Sequence, residues 1–210
     1  MSKYISKEKW KYLFHTVKNP MDGFYWIRHN DMGSVLLAIL IVIGFSLSFS
    51  MNRISASFVV NDVEPATIDS LLELSGILLL YSLLCVGNWS VTCLMGGEGR
   101  LKDIAIAIGY SFAPMIPTYI IATIMSQALA DEEEAFYFLV LFIGIAYTVV
   151  MLLIGIMKVH NYSLGKTLIT MLFTFIAVLI IIFIALLLAD VTRQVFIFFK
   201  SIYMELIFRT

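Results

Sequence analysis

The sequence predicts an all-α protein: a polytopic membrane bundle of five transmembrane helices, flanked by N- and C-terminal amphipathic interfacial helices. Three observations carry this. The chain of 210 residues is 60% hydrophobic and 14% charged, with a mean hydropathy of +0.93, whereas soluble domains run about 45–50% apolar and about 25% charged. It holds five apolar runs of the roughly 20 residues that a hydrocarbon core demands. No run alternates as a barrel strand does, so the backbone must satisfy its hydrogen bonds within helices. A water-soluble enzyme or nucleic-acid binder of this size could not hide so much apolar surface. The net charge of −1 calls for no acidic partner, and no nucleic-acid module is visible.

Residues 1–33 form the first segment. Trp10, Leu13, Phe14 and Val17 stand at i, i+3, i+4 and i+7, with Lys7, Lys9, Lys11 and Lys18 among them. That pattern predicts a helix lying in the headgroup plane, its lysines toward anionic lipid. Asn19-Pro20 ends it. The membrane domain, 34–189, follows with spans at about 34–51, 71–95, 103–129, 136–157 and 167–189. The first span begins too late, and is too long, for a cleaved signal peptide. The tail, 190–210, places Val195, Phe198, Phe199, Ile202 and Leu206 on one face and Arg193, Lys200, Ser201 and Glu205 on the other. Its charges would each cost about 2.5–3.5 kcal/mol near a bilayer centre. The expectation is therefore an extracytoplasmic surface helix rather than a sixth span.

Basic residues set the orientation. Lys3, Lys7, Lys9, Lys11, Lys18, Arg28, Arg100, Lys102, Lys158 and Lys166 fall on one side of the five spans. Arg53, Arg193, Lys200 and Arg209 fall on the other. The richer side is expected in the cytoplasm, which puts the N-terminus inside and the C-terminus outside. The acidic run Asp131 to Glu134 then lies outside, as a solvated loop at the favourable end of the fourth helix dipole.

Polar residues within spans each need a partner. Glu73 falls at the outer start of the second span, where it is expected to cap its own helix. Asn88 should make an interhelical hydrogen bond, and Trp89 should anchor at the interface. In the third span Ala105, Gly109 and Ala113 place small residues on one face for a close helix approach. Pro114 and Pro117 follow and bend the helix. Tyr110, Ser111 and Tyr119 surround the bend and are placed to satisfy freed carbonyls. Cys85 and Cys93 read as small core residues, too far apart on one helix for a disulfide. No His-Glu-x-x-His motif occurs, and Gly96-Gly97-Glu98-Gly99 fits neither a Walker loop nor a dinucleotide fingerprint. It reads as a turn in which glycines supply positive φ. No catalytic residue, metal or cofactor is expected.

The motifs in order are Asn19-Pro20-Met21-Asp22-Gly23-Phe24-Tyr25, Gly33-Ser34, Asn88-Trp89, Gly97-Glu98-Gly99, Gly109-Tyr110-Ser111-Phe112-Ala113-Pro114, His160-Asn161-Tyr162-Ser163 and Ser201-Ile202-Tyr203 with Phe208-Arg209. Their order and spacing resemble the Yip (Ypt/Rab-interacting protein) domain family, in the form found in Gram-positive bacteria. The resemblance implies five membrane helices, a cytoplasmic N-terminus and a bacterial cytoplasmic membrane. It carries no catalytic residues. Through the gene neighbourhood of related bacterial proteins, it implies an accessory role beside carbohydrate ABC transporter components. Rab binding does not transfer to a bacterium. The expected function is thus a non-enzymatic accessory or scaffold subunit that binds other membrane proteins and membrane lipids. Asp22, Gly23, Phe24 and Tyr25 form one expected contact patch, with Asn88, Trp89, Gly97, Glu98, Gly99, His160 and Tyr162 nearby. The alternative is a small transporter or channel, with a pathway at the kinked third span near Glu73, Tyr110, Ser111, Pro114 and Pro117, in which a homo-oligomer would supply the missing symmetry.

Overall fold

The computed structural model describes residues 7–208. Lys3 and Arg209, used above for orientation, lie outside these residues, as do the side chains of Lys7, Asp131 and Leu206. The described residues form eight α-helices: α1 (Lys7–Lys18), α2 (Pro20–Asn30), α3 (Val35–Ser55), α4 (Ser70–Leu94), α5 (Leu101–Ser111), α6 (Met115–Ser126), α7 (Glu134–His160) and α8 (Leu164–Phe208). Single 3₁₀ turns occur at Pro65–Thr67 and Asp131–Glu133, and no strand occurs among the described residues. Five crossings are long and apolar enough for a membrane, with α5 and α6 sharing one of them.

Helix α5 is the axis of the bundle. Every residue of it from Ile106 to Ser111 is buried, and so are Asp103 and Ile104. It packs on α7, α3, α4 and the N-terminal helices. Between helices in lipid there is no hydrophobic drive, so close van der Waals approach supplies the attraction. The small-residue stripe provides it: a Cβ on Gly109 would stand 2.6 Å from the Cβ of Ala38 and 3.0 Å from its Cα. The same device recurs where Gly144 of α7 meets Thr118 of α6, with a Cβ approach of 2.4 Å.

The third crossing is broken rather than bent. Helix α5 stops at Ser111 and α6 starts at Met115, with Pro114 at its cap. The prolines fall in the first turn of α6, where their missing N–H groups would be unpaired in any case. Short-range bonds from Phe112 N–H to Gly109 and from Ala113 N–H to Tyr110 close α5. The Ser111 hydroxyl donates to the Ala107 carbonyl at 2.8 Å, inside α5 and not to a carbonyl that the prolines free, and Tyr110 does not serve the break either. Its hydroxyl accepts the Ser34 N–H at 3.2 Å and so ties the start of α3 to α5.

Two flanking expectations change. At the N-terminus α1 stops before Asn19-Pro20 as expected, but a second helix, α2, follows, and the two form a hairpin packed on the bundle. Phe24 and Ile27 of α2 are fully buried, as is Leu13 of α1 to within 5% exposure. The Tyr147 hydroxyl of α7 donates to the Val17 carbonyl at 2.6 Å. Tyr147 lies more than three turns from the His160 end, so the hairpin tip reaches about 20 Å along α7. Trp10 and Phe14 do face outward, as the amphipathic pattern required. At the other end, the tail is not a separate helix. Helix α8 runs 45 residues without interruption, about 67 Å, because no proline or glycine follows Gly165 before its end. Beyond Ile181 its described side chains are all exposed.

The end of the bundle that carries Arg53 and Asp131–Glu134 also differs from expectation at Glu73. Asp69 caps α4, accepting the N–H groups of Leu71 and Leu72. Glu73 instead pairs with Arg53 and accepts from Ser50, joining α4 to α3. Asn52 bridges there too, donating to Thr123 at 2.9 Å and accepting from Tyr137 at 2.8 Å. The acidic run does precede α7, although Glu133 makes no side-chain cap bond. Cys85 is buried as expected, while Cys93 faces outward.

Candidate functional site at the basic end

Three of the quoted motifs, Asn88-Trp89, Gly97-Glu98-Gly99 and His160-Asn161-Tyr162-Ser163, converge at the end of the bundle where α4, α7 and α8 meet. Helix α7 ends at His160 because Asn161 adopts a left-handed conformation, φ 55°, which terminates helices. Tyr162 then folds back, its ring stacked on His160 with centroids 5.3 Å apart. Lys166 lies over the Tyr162 ring, 4.1 Å from its centre. The loop after α4 wraps the imidazole. A Cβ on Gly97 would stand 2.6 Å from His160 Nδ1, and one on Gly99 would stand 2.7 Å from His160 Cε1. Positive φ is needed only at Gly96 among these glycines; the other two serve close approach.

A chain of hydrogen bonds follows from that approach. The Gly99 N–H points at His160 Nδ1, 3.2 Å away. Nδ1 is therefore an acceptor, the ring is neutral, and the proton sits on Nε2. Nε2 donates to Asn88 Oδ1 at 3.3 Å. Asn88 Nδ2 donates to the Thr174 hydroxyl at 3.1 Å, which donates to the Thr170 carbonyl at 2.8 Å. His160 and Asn88 are each 1% exposed. A buried network of this kind is costly if incomplete and rigid when satisfied. It locks α4, α7, α8 and the glycine loop together. The interhelical bond expected of Asn88 is thus present, with two partners.

A second, exposed network borders it. Arg100 grips the buried carboxylate of Asp103 through Nε at 2.8 Å and reaches Asp31 at 2.5 Å. Lys102 donates to the same Asp31 oxygen at 3.0 Å. Hydrogen bonds from Lys102 and Arg100 hold the Asp31 carboxyl below the usual carboxylate range. On α2, Asp22 accepts from His15 at 2.9 Å and from the Trp26 indole at 3.1 Å, and the His15 bond lowers its pKa. Tyr25 stacks on His29 at 4.1 Å and meets Trp26 edge-on at 5.1 Å.

The eleven expected surface residues therefore divide. Gly23, Phe24, Asn88, His160 and Tyr162 are buried, and Gly97 and Gly99 are half-buried. Only Asp22, Tyr25, Trp89 and Glu98 are exposed. They do not form one patch: α2 packs on α7, whereas α4 packs chiefly on α8. Gly23 is where α1 and α2 cross, its Cβ position 2.5 Å from the backbone of Thr16. Of the intramembrane candidates, Glu73 lies at the opposite end, and Tyr110, Ser111, Pro114 and Pro117 flank the α5–α6 break. The Asp31–Arg100–Asp103 and Asn52 networks escaped the sequence reading. Arg100 and Asp103 stand at the spacing of a capping pair, and Asn52 is an amide at the end of an apolar run; those were the available signals.

The Yip1 domain model matches residues 14–186, from the middle of α1 to well inside α8, and takes in every motif assembled at the basic end. Comparison with curated proteins and with solved structures gives no match. With most of its length matched by that domain, the chain belongs to the Yip1 domain family.

Proposed function

We propose that the protein is a non-enzymatic accessory or scaffold subunit of a bacterial cytoplasmic membrane, with its basic end in the cytoplasm, and that it binds other integral membrane proteins. The observation that carries this reading is the aromatic ledge on α2. Phe24 and Ile27 are fully buried and fix the helix, while Met21, Tyr25 and Trp26 on its other side are each at least 38% exposed. Aromatic side chains held rigidly at a surface are the usual anchors of protein interfaces. The buried motif residues support the ledge and the loop that carries Glu98. A carbohydrate ABC transporter permease is the first partner to test.

The experiment is affinity capture from native membranes after crosslinking, comparing the wild type with Tyr25→Ala/Trp26→Ala. The proposal expects a stoichiometric membrane partner that is lost from the double variant while the bundle keeps its helicity. Full partner yield with that variant would remove the ledge as the docking surface. The transport alternative rests on the α5–α6 break. Solute flux in liposomes, abolished by Pro114→Ala, would favour it over the scaffold reading.

A further inference from the structure

Helix α8 outruns the bundle. It packs on α4 in the opposite direction: Thr170 meets Met95, Thr174 meets Asn88, and Val178 meets Gly87. With Thr174 level with Asn88, the start of α4 at Ser70 is level with Thr192 on α8. From there α8 continues to Phe208, about 24 Å further. That stretch is not suited to stand alone in water. Phe196, Phe198, Phe199 and Tyr203 are each at least 61% exposed, and an isolated helix of this length is marginal even without such a load.

The polar residues of the stretch are gathered on one side. Asp190, Arg193, Gln194, Lys200, Ser201 and Glu205 fall within an arc of about 140° on a helix of 3.6 residues per turn. The remaining arc holds Val191, Val195, Phe198, Phe199, Ile202 and Tyr203 and carries no charge. Within it Leu188, Thr192, Val195, Phe199 and Ile202 alternate spacings of four and three residues, the pattern of a coiled-coil seam. The one hydroxyl on that seam is satisfied inside its own helix, Thr192 donating to the Leu188 carbonyl at 2.8 Å.

We infer that a second copy of the chain packs on this arc, tail against parallel tail, beyond the end of the bundle opposite the basic end. Copies inserted in one membrane share one orientation, so their tails stand level and run the same way, and identical residues meet at identical heights. A charge on the seam would then face its own kind and repel; every charge of the tail lies on the far arc. The area is sufficient. Aromatic side chains of roughly 200 Å² at these exposures leave about 500 Å² uncovered per copy, or about 1,000 Å² for the pair. Val191, Val195 and Ile202, each at least 40% exposed, bring the sum into the range of about 1,200–2,000 Å² of stable interfaces. The inference does not depend on the scaffold reading.

The test is disulfide trapping of the full-length protein in its own membrane, in a Cys93→Ser background, with copper phenanthroline as oxidant. Val195→Cys and Ile202→Cys, on the seam, are expected to give at least about fivefold more covalent dimer than Gln194→Cys and Ser201→Cys, on the far arc. Native mass spectrometry of the purified protein in detergent micelles should show two copies for the wild type and one for Phe199→Lys/Ile202→Lys. Equal trapping from the two arcs, no trapping from the seam, a single copy for the wild type, or a dimer that survives the double lysine change would overturn the inference. Trapping of the seam cysteines to a different protein would overturn it as well. If the double lysine variant does not fold, the comparison of the two arcs decides it, since each cysteine variant changes one exposed side chain.

Discussion

Replacing Asn88 by leucine preserves side-chain size and removes both bonds at the centre of the basic-end network. The lost bonds run to Thr174 at 3.1 Å and from His160 at 3.3 Å. Interhelical hydrogen bonds in membranes contribute about 0.6–2 kcal/mol each. Thr174 still bonds the Thr170 carbonyl, so its loss is mild. His160 is worse placed. Its Nε2–H would face apolar surroundings at 1% exposure, and a buried donor without an acceptor costs about 1–3 kcal/mol. The expected sum for Asn88→Leu is about 2–4 kcal/mol. Because much of this is the stranded imidazole, removing both partners should be less damaging than the two single changes predict. The double variant Asn88→Leu/His160→Leu should recover at least about 1 kcal/mol relative to additivity. Steric trapping in bicelles measures these differences directly. A single-variant effect below about 0.5 kcal/mol, or strict additivity in the cycle, would show that the network does not hold α4 to α7 and α8.

The remaining expectations concern other parts of the fold. Gly109→Val should destabilise by at least about 2 kcal/mol, since its Cβ would overlap the side chain and crowd the backbone of Ala38, and overpacking of this kind forces helices apart; Ala38→Gly should partly rescue it in the same trapping assay. For Asp31, the folded pKa lies below the ordinary 3.8, so its contribution is present above that value and is lost as pH falls through the lower folded pKa. Asp31→Asn should therefore flatten the fall in melting temperature below about pH 4, and added salt should shrink the difference because the pair is exposed. For α8, spin labels at Leu186 and Phe198 should lie about 18 Å apart along a continuous helix, and a markedly shorter distance by electron paramagnetic resonance would indicate a turn near Asp190.

How much was legible from residue order depended on the range of the interaction. Span positions were, because hydrocarbon demands long apolar runs whatever their neighbours; the observed crossings Val35–Ser55, Ser70–Leu94 and Glu134–His160 start within two residues of the expected positions. The close approach at Gly109 was also legible, since small residues four apart on a helix have few other uses in lipid. Glu73 was not. Its position at a helix start suggested a cap, but Asp69 stood closer to the free N–H groups and Arg53 came within reach only when α3 packed on α4. The tail misled for a related reason: charges at Asp190, Arg193 and Lys200 argue about membrane depth and say nothing about where a helix breaks.

Residue order by itself determined the class of the protein, its five crossings and the presence of a recurring set of polar and glycine motifs, because these follow from composition and local spacing. Only the tertiary structure decided what the motifs do. Asn88 and His160 are 72 residues apart and Gly99 and His160 are 61 apart, so no local pattern predicts that they touch. Burial, too, belongs to the whole fold: Phe24 looks like a surface aromatic beside Tyr25, and it becomes core because α2 turns that face to α7 and α5.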